Sequence, residues 1–176
     1  MFIILARDNQ DGIGLEERIP WWCPDDTNLF RAVTTHTNDT ANRYKKNLVI
    51  AGHITRKSMP QELNNRVLVT QDRCGGYTLP DGVTEADIDQ KFLVGGKRAI
   101  RSYLASNPLP DSIVLVRIDG SHGCDVSVSD TDLHLDKYRL FAEKDMNGAT
   151  AHVYVLRDHS VCVPSGLEVA GFVPCN

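Results

Sequence analysis

Short apolar runs set between helical segments narrow the folds open to this 176-residue chain more than any other property of its sequence. The runs lie at 2–6, 47–51, 66–70, 91–94, 112–118 and 151–156, and several are unbroken in Ile, Leu and Val. Unbroken runs of this length suit strands covered on both faces, because a strand with one wet face alternates polar and apolar residues. Helical candidates at 25–35, 54–59 and 97–105 fall between some of them. Strand alternating with helix predicts an α/β fold with a mainly parallel central sheet, right-handed crossovers and flanking helices. The rhythm then breaks. Between 118 and 151 lie the loop GSHGCDVSVSD and a 135–143 run that reads as another strand, which predicts an antiparallel C-terminal hairpin with its strand at the sheet edge.

Two acids stand at the start of the first helical segment. In IGLEERIPWWCPDDTNLF, Pro24 and Asp25 form a helix start. Asp25 there accepts hydrogen bonds from free first-turn amides, and its charge suits the positive helix end. Asp26, Leu29, Phe30 and Val33 then recur at i, i+3, i+4 and i+7, so Asp26 points with the apolar stripe. No Lys or Arg lies four residues to either side of it. An unpaired carboxylate on an inward face is disfavoured by several kcal/mol, which makes Asp26 a candidate ligand-binding acid. The bland alternative is a plain first-turn helix charge.

Three strand ends carry candidate anion-binding chemistry. Phe92-Leu93-Val94-Gly95-Gly96-Lys97-Arg98 runs a buried strand into two glycines and a helix. Glycines let a phosphate approach the backbone, and a helix N-terminus offers free amides with partial positive charge. Val49-Ile50-Ala51-Gly52-His53-Ile54-Thr55-Arg56 repeats the arrangement, and Val69-Thr70-Gln71-Asp72-Arg73 ends a strand with a hydroxyl and a base. Tight turns and an ordinary solvated surface are the alternatives for these glycines and for His53, Arg56 and Arg73. Neither a G-x-G-x-x-G nor a Walker lysine loop is present, so a dinucleotide would be held by dispersed contacts at the carboxyl ends of strands.

Composition removes other classes. The net charge of −4 argues against a general nucleic-acid or membrane-surface binder. The FIILA run is too short to span a membrane. The six histidines contain no H-E-x-x-H, which predicts no metal, and the five cysteines form no C-x-x-C, which predicts reduced thiols.

These residues resemble the dihydrofolate reductase family. Its signature is an Ile-Gly, a short loop, Pro-Trp, and a Pro-x-Asp opening the first long helix; here these are Ile13-Gly14, Pro20-Trp21 and Pro24-Asp25-Asp26. The resemblance implies NADPH-dependent reduction of 7,8-dihydrofolate to 5,6,7,8-tetrahydrofolate, supporting one-carbon metabolism and thymidylate synthesis. Hydride would pass to pterin C6 and a proton to N5. Asp26 and Trp21 become the catalytic pair, the acid binding pterin N3 and the 2-amino group and the indole supporting an ordered water. The implied substrate wall is Ile4, Leu5, Ala6, Thr27, Phe30, Met59, Leu63 and Val94. Arg66, in the segment Leu63-Asn64-Asn65-Arg66, would pair bidentately with a glutamate α-carboxylate. The implied cofactor contacts are Ala6, Ile13 and Gly14, then Gly52, His53, Thr55 and Arg56, then Thr70, Gln71 and Arg73, and finally Gly95, Gly96, Lys97, Arg98 and Ala99. Residues 120–125 resemble the loop whose acid holds the mobile 12–18 loop closed. The similarity covers roughly 2–157, which implies a reductase domain over 1–158 and an extension over 159–176. A cytoplasmic monomer that binds dihydrofolate and antifolates, without nucleic acid or membrane, completes the expectation.

The chain also departs from the family pattern. Val116 stands where a threonine hydroxyl usually meets the catalytic acid, and Ile100 where a tyrosine or phenylalanine follows the Gly-Gly. Residues 36–46 look like an insertion. Residues 73–90 are short and rich in Gly, Pro and Asp, so the helix beside the adenine is expected to be reduced or missing. Asp72 would repel a 2′-phosphate and favour NAD. These changes mark a divergent member and leave open an origin in a virus or mobile element. Two further readings stay open: a reductase acting on a ribosylated pyrimidine intermediate, and a non-catalytic, reductase-derived binding module.

Overall fold

The computed structural model describes residues 1–38 and 44–175; residues 39–43 of the expected insertion lie outside the described residues. β1 (Phe2–Asp8) runs near the middle of an eight-stranded sheet, parallel to both its neighbours, β5 (Ile88–Val94) and β6 (Ser112–Ile118). β3 (Lys46–Ala51) lies parallel between β5 and the edge strand β4 (Arg66–Thr70). On the other side β9 (Ala149–Leu156) is antiparallel to β6, and β8 (Tyr138–Met146) is antiparallel to β9. This is the mainly parallel sheet with an antiparallel end expected from the runs. Its outermost member is β10 (Val173–Pro174), paired with β8. A separate ribbon joins β2 (Gly12–Gly14) to β7 (Val126–Ser127).

The pleat sends successive side chains to opposite faces and so divides the core in two. Ile4, Val94, Val114 and Val116 join Leu29 and Val33 of α1 (Pro24–Thr35). Ile3, Leu5, Leu93 and Leu115 join Ile100 and Tyr103 of α3 (Lys97–Ser106). The short α2 (His53–Ser58) follows β3 and buries none of its residues. No helix among the described residues is long and apolar enough to cross a membrane.

Three local expectations need correction. The 135–143 run is not all strand: its first three residues form a 3-10 turn after His134, whose φ is 54°, and β8 begins only at Tyr138. The 91–94 run is the end of a longer strand, because Ile88 already pairs with Lys46 of β3 ahead of it, across a register shift. The cap of α1 is Cys23 and not Asp25. With Pro24 in the first helical turn the helix starts one residue earlier, and Asp25 instead accepts the Asn147 amide at 3.0 Å. The thin 73–90 segment does lack an α-helix; it holds one 3-10 turn, Glu85–Asp87, closed by a capping box with Thr84.

Beyond the sheet hairpin the chain folds back on α1. Here α4 (Gly166–Val169) packs against α1 and leads into β10.

Candidate active site

The helical phase of α1 puts Asp26 on the side of Leu29 and Val33, which are 3% and 0% exposed. Asp26 itself is half-buried, and no described group hydrogen-bonds or ion-pairs with it. Burial alone raises its pKa from 3.8 to about 6. Trp21 packs against the same apolar layer, with its ring edge on His122 at 5.5 Å between centroids, and its buried Nε1 has no acceptor. Val116 belongs to that layer and is fully buried, level with Ala6 in the β1–β6 register. The layer therefore offers the carboxylate no hydroxyl from this position. A donor without acceptor and a carboxylate without donor thus lie on one side of the sheet, with no partner among the described residues.

Most of the expected wall converges there. Ile4, Ala6, Phe30, Met59, Leu63 and Val94 all belong to the α1 layer, and Thr27 is exposed on α1 itself. Leu5 does not join them. Strand alternation turns its side chain into the α3 layer, where it is 6% exposed.

Arg66 opens β4 beneath the end of α1. Its Nη1 donates to Thr34 Oγ1 at 2.7 Å, Nε donates to the Asn64 carbonyl at 3.2 Å, and the guanidinium lies 5.7 Å from the Phe30 ring centroid. Burial, and then the nearby Arg31 charge, lower its pKa. Arg31 and Arg66 line one cleft of about 640 Å³ with Leu63 and Val169. Sequence reasoning missed Arg31, although it follows Thr27 by one helical turn and so shares its face. It also missed Val169, for which no periodic signal exists.

The strand ends meet at a glycine crossing. Gly52 N donates to the Val94 carbonyl at 3.0 Å. A Cβ on Gly52 would lie 2.8 Å from Ala99 Cβ, and one on Gly95, at φ 150°, would lie 3.1 Å from Gly52 N. Gly96 caps α3 without any side-chain hydrogen bond, so the first amides of α3 have no capping side chain. Ile13 of β2 approaches from above, 3.4 Å from a Cβ built on Gly96. Gly14 lies beside it on the ribbon.

Several polar residues expected at these junctions have partners inside the protein. Lys97 Nζ pairs with Asp132 at 2.9 Å, beside Arg101 at 3.1 Å. Burial acts against the charge of Asp132, but the Ser129 donors and the two bases outweigh it and hold the carboxyl well below its usual range. Gln71 Nε2 donates to the Ala99 carbonyl at 3.1 Å, and Arg56 donates to the carbonyls of Pro60 and Gln61 at 3.3 and 3.0 Å. Asp72 Oδ1 accepts the amides of Cys74 and Gly76, both at 2.8 Å, and so builds its own turn. His53, Thr70, Arg73 and Arg98 remain exposed, and Thr55 is half-buried.

The 12–18 loop is tied at two points. Asp125 Oδ2 accepts the Glu16 amide at 3.1 Å and Asp125 N donates to the Gly14 carbonyl at 3.0 Å, the contact expected of that acid. Asp8, which sequence reasoning passed over, accepts the amides of Gly12 and Gln10 at 2.8 and 2.9 Å through Oδ1 and the His122 amide at 2.8 Å through Oδ2. Burial pushes its pKa up, yet the His122, Gln10 and Gly12 amides outweigh this and hold it below the usual value.

Comparison with known proteins agrees with this geometry. The family model described as dihydrofolate reductase matches residues 1–158. The chain is 29% identical over 152 residues to bifunctional dihydrofolate reductase-thymidylate synthase 1 of Arabidopsis thaliana, covering 74% of this chain and 28% of that protein. It is 26% identical over 170 residues to the dihydrofolate reductase of Cryptococcus neoformans, covering 74% of each. A bifunctional dihydrofolate reductase-thymidylate synthase of Leishmania major is 31% identical over 117 residues, 61% of this chain and 22% of that protein. The chain thus spans 22% to 28% of the length of these two bifunctional relatives.

Proposed function

The chain belongs to the dihydrofolate reductase family, and from that premise we propose that it reduces 7,8-dihydrofolate to 5,6,7,8-tetrahydrofolate with NADPH as reductant. The observation that carries the reading is Asp26, a half-buried carboxylate without a protein partner, on the side of the sheet that also holds the unpartnered Trp21 indole.

The bare crossing of Gly52 and Gly95 and the uncapped start of α3 fit a dinucleotide backbone, because side chains would fill the space phosphates need. Gly52, Gly95, Gly96 and Ala99 would hold it from below, Ala6, Ile13 and Gly14 from above, and His53, Thr55, Thr70, Arg73 and Arg98 along its phosphates. Lys97, Gln71 and Arg56 would serve by fixing these loops. When bound, the reduced nicotinamide supplies the hydride for pterin C6.

Asp26, ionised above about pH 6, accepts hydrogen bonds from pterin N3 and the 2-amino group and favours the protonated substrate. A water beside Trp21 Nε1 carries the proton to N5. Ile4, Ala6, Val94 and Val116 exclude bulk solvent and hold the flat rings in contact, which is where most of the rate enhancement arises. Phe30 packs on the pterin and benzoyl rings, and Arg66 takes the tail carboxylate. We read residues 1–158 as the reductase domain and 159–176 as an extension. The enzyme is read as a cytoplasmic monomer open to antifolates, without nucleic-acid or membrane contacts; the net charge of −4 supports the absence of those contacts alone.

Following NADPH loss by the purified chain with and without dihydrofolate tests the reading. Dihydrofolate-dependent oxidation is expected, and Asp26→Asn abolishes most of it. NADPH binding with no turnover would instead favour the binding module, on the strength of Val116. Turnover of a ribosylated aminopyrimidine alone would favour the second reductase.

A further inference from the structure

The segment after residue 158 lies outside the family match, yet it returns to the rim of the site. Ser165 anchors it: Ser165 N donates to Gln90 Oε1 at 2.9 Å, Gln90 Nε2 donates to Ser165 Oγ at 2.7 Å, and that hydroxyl donates to the His36 carbonyl at 3.1 Å. Gly166 then lies flat on α1, where a Cβ would stand 2.7 Å from Val33 Cα and 2.8 Å from the Ala32 and Val33 carbonyl oxygens. Leu167 and Ala170, 5% and 6% exposed, complete the attachment. Val169 takes no part in it. It is 65% exposed and lines the 640 Å³ cleft with Arg31, Ala32, Leu63 and Arg66.

The cleft thus sets two guanidinium groups against one carboxylate, Glu62, a net positive lining, and adds an apolar side chain contributed by the appended helix. A flexible anion alone would need only the arginines, and an apolar ligand alone would not suit them. The combination fits an aryl group bearing a carboxylate. We propose that residues 165–170 form an outer wall of the cleft that receives the benzoylglutamate half of folates, with Val169 as its specificity-determining side chain. This rests on the dihydrofolate reading given above, and adds to it a contact made by a part of the chain beyond the family match.

The test compares ligands that share the pterin-like head but differ in the tail. Dissociation constants of methotrexate and of a trimethoprim-type diaminopyrimidine are measured by fluorescence quenching on the full chain, on Val169→Ala and on Val169→Asp. Loss of one apolar contact should weaken methotrexate about threefold in Val169→Ala. Val169→Asp should weaken it tenfold or more, since the new carboxylate repels the tail and competes for Arg31 and Arg66. The diaminopyrimidine should stay within about twofold in both, and thermal unfolding should match wild type because the side chain is exposed. Methotrexate affinity unchanged in Val169→Asp, in a protein that turns over dihydrofolate, overturns the wall and leaves the reductase reading standing. Equal weakening of both ligands overturns it too, as an effect on the fold. Wild-type protein that binds neither methotrexate nor dihydrofolate overturns both.

Discussion

Gly52 and Gly95 cross so closely that a methyl group on Gly95 would stand 3.1 Å from the Gly52 amide nitrogen and 3.4 Å from its Cα. Their two strand ends approach because neither residue has a side chain. The obstacles differ, however. A methyl on Gly52 meets only another methyl, Ala99 Cβ, at 2.8 Å, whereas one on Gly95 also meets backbone and sits at φ 150°.

Gly95→Ala should therefore destabilise the protein by about 1–3 kcal/mol and weaken NADPH binding sharply. Gly52→Ala should do the same in the wild-type background but recover when combined with Ala99→Gly, measured against Ala99→Gly alone. Thermal unfolding and NADPH titration of the wild type, the three single variants and the two double variants decide it. Recovery of Gly95→Ala by Ala99→Gly would show that the backbone is not the obstacle.

Asp26 predicts a pH dependence of stability in the ligand-free protein. Its folded pKa of about 6 exceeds the ordinary value of 3.8, so the fold disfavours the charged form. The contribution is fully favourable below about pH 4 and is lost as pH rises through about 6, by up to about 3 kcal/mol. Asp26→Asn should raise the unfolding free energy above pH 6 and lose that advantage toward pH 4, while turnover at neutral pH falls by orders of magnitude. Asp25→Asn touches only the Asn147 amide and should change turnover a few-fold at most. Denaturant unfolding across pH 4–8, alongside initial rates, checks both. Equal losses of turnover would place the two acids in the same role.

Nucleotide choice depends on which charges are free. Arg56 is tied to its own loop, and Asp72 is turned into the amides of Cys74 and Gly76. NADPH should then bind at least about tenfold tighter than NADH, about 1.4 kcal/mol, with the preference shrinking as salt is added. Arg73→Ala should erode it more than Arg56→Ala. A preference for NADH would make Asp72 the dominant neighbour and remove the 2′-phosphate assignment.

Asp8 should prove structural for the two loops it joins, one around Gly12 and one around His122. Asp8→Asn keeps its shape but offers an amide N–H where three backbone donors converge, and should lower stability by about 1–3 kcal/mol near neutral pH. Because the folded pKa lies below the ordinary value, the carboxylate stabilises above about pH 4, and that advantage disappears as pH falls through the folded pKa. The gap between wild type and variant should narrow in acid; a constant gap from pH 3 to 8 would exclude the carboxylate charge as its source.

The helical phase of Asp26 was legible because Leu29 and Val33 repeat at the helical period, and the period says which way a side chain faces. Pro24 shifted the start by one residue, which the same period does not register, so Asp25 read as a cap. Leu5 was grouped with Ile4 and Ala6 because an unbroken apolar run hides the alternation of a strand. The partners of Lys97 and Gln71 were illegible for another reason. Asp132 and the Ala99 carbonyl reach them through tertiary folding, and a basic or polar residue beside two glycines looks alike whether it awaits a phosphate or already holds a carboxylate. The extension had neither period nor motif; its attachment depends on Gly166 being small enough to lie on α1.

The short strand β10 has a consequence for how molecules of this protein meet one another. Cys175 N donates inward to the Phe141 carbonyl at 2.8 Å, so the alternating geometry of the strand turns the nitrogen of Pro174 outward. That nitrogen carries no hydrogen. A neighbouring chain seeking to extend the sheet past β8 finds a two-residue rim lacking a donor where the next rung would begin. The middle of β8, at Ala142 and Glu143, is thereby screened from a further strand, and crowding in a concentrated solution has one fewer route to aggregate.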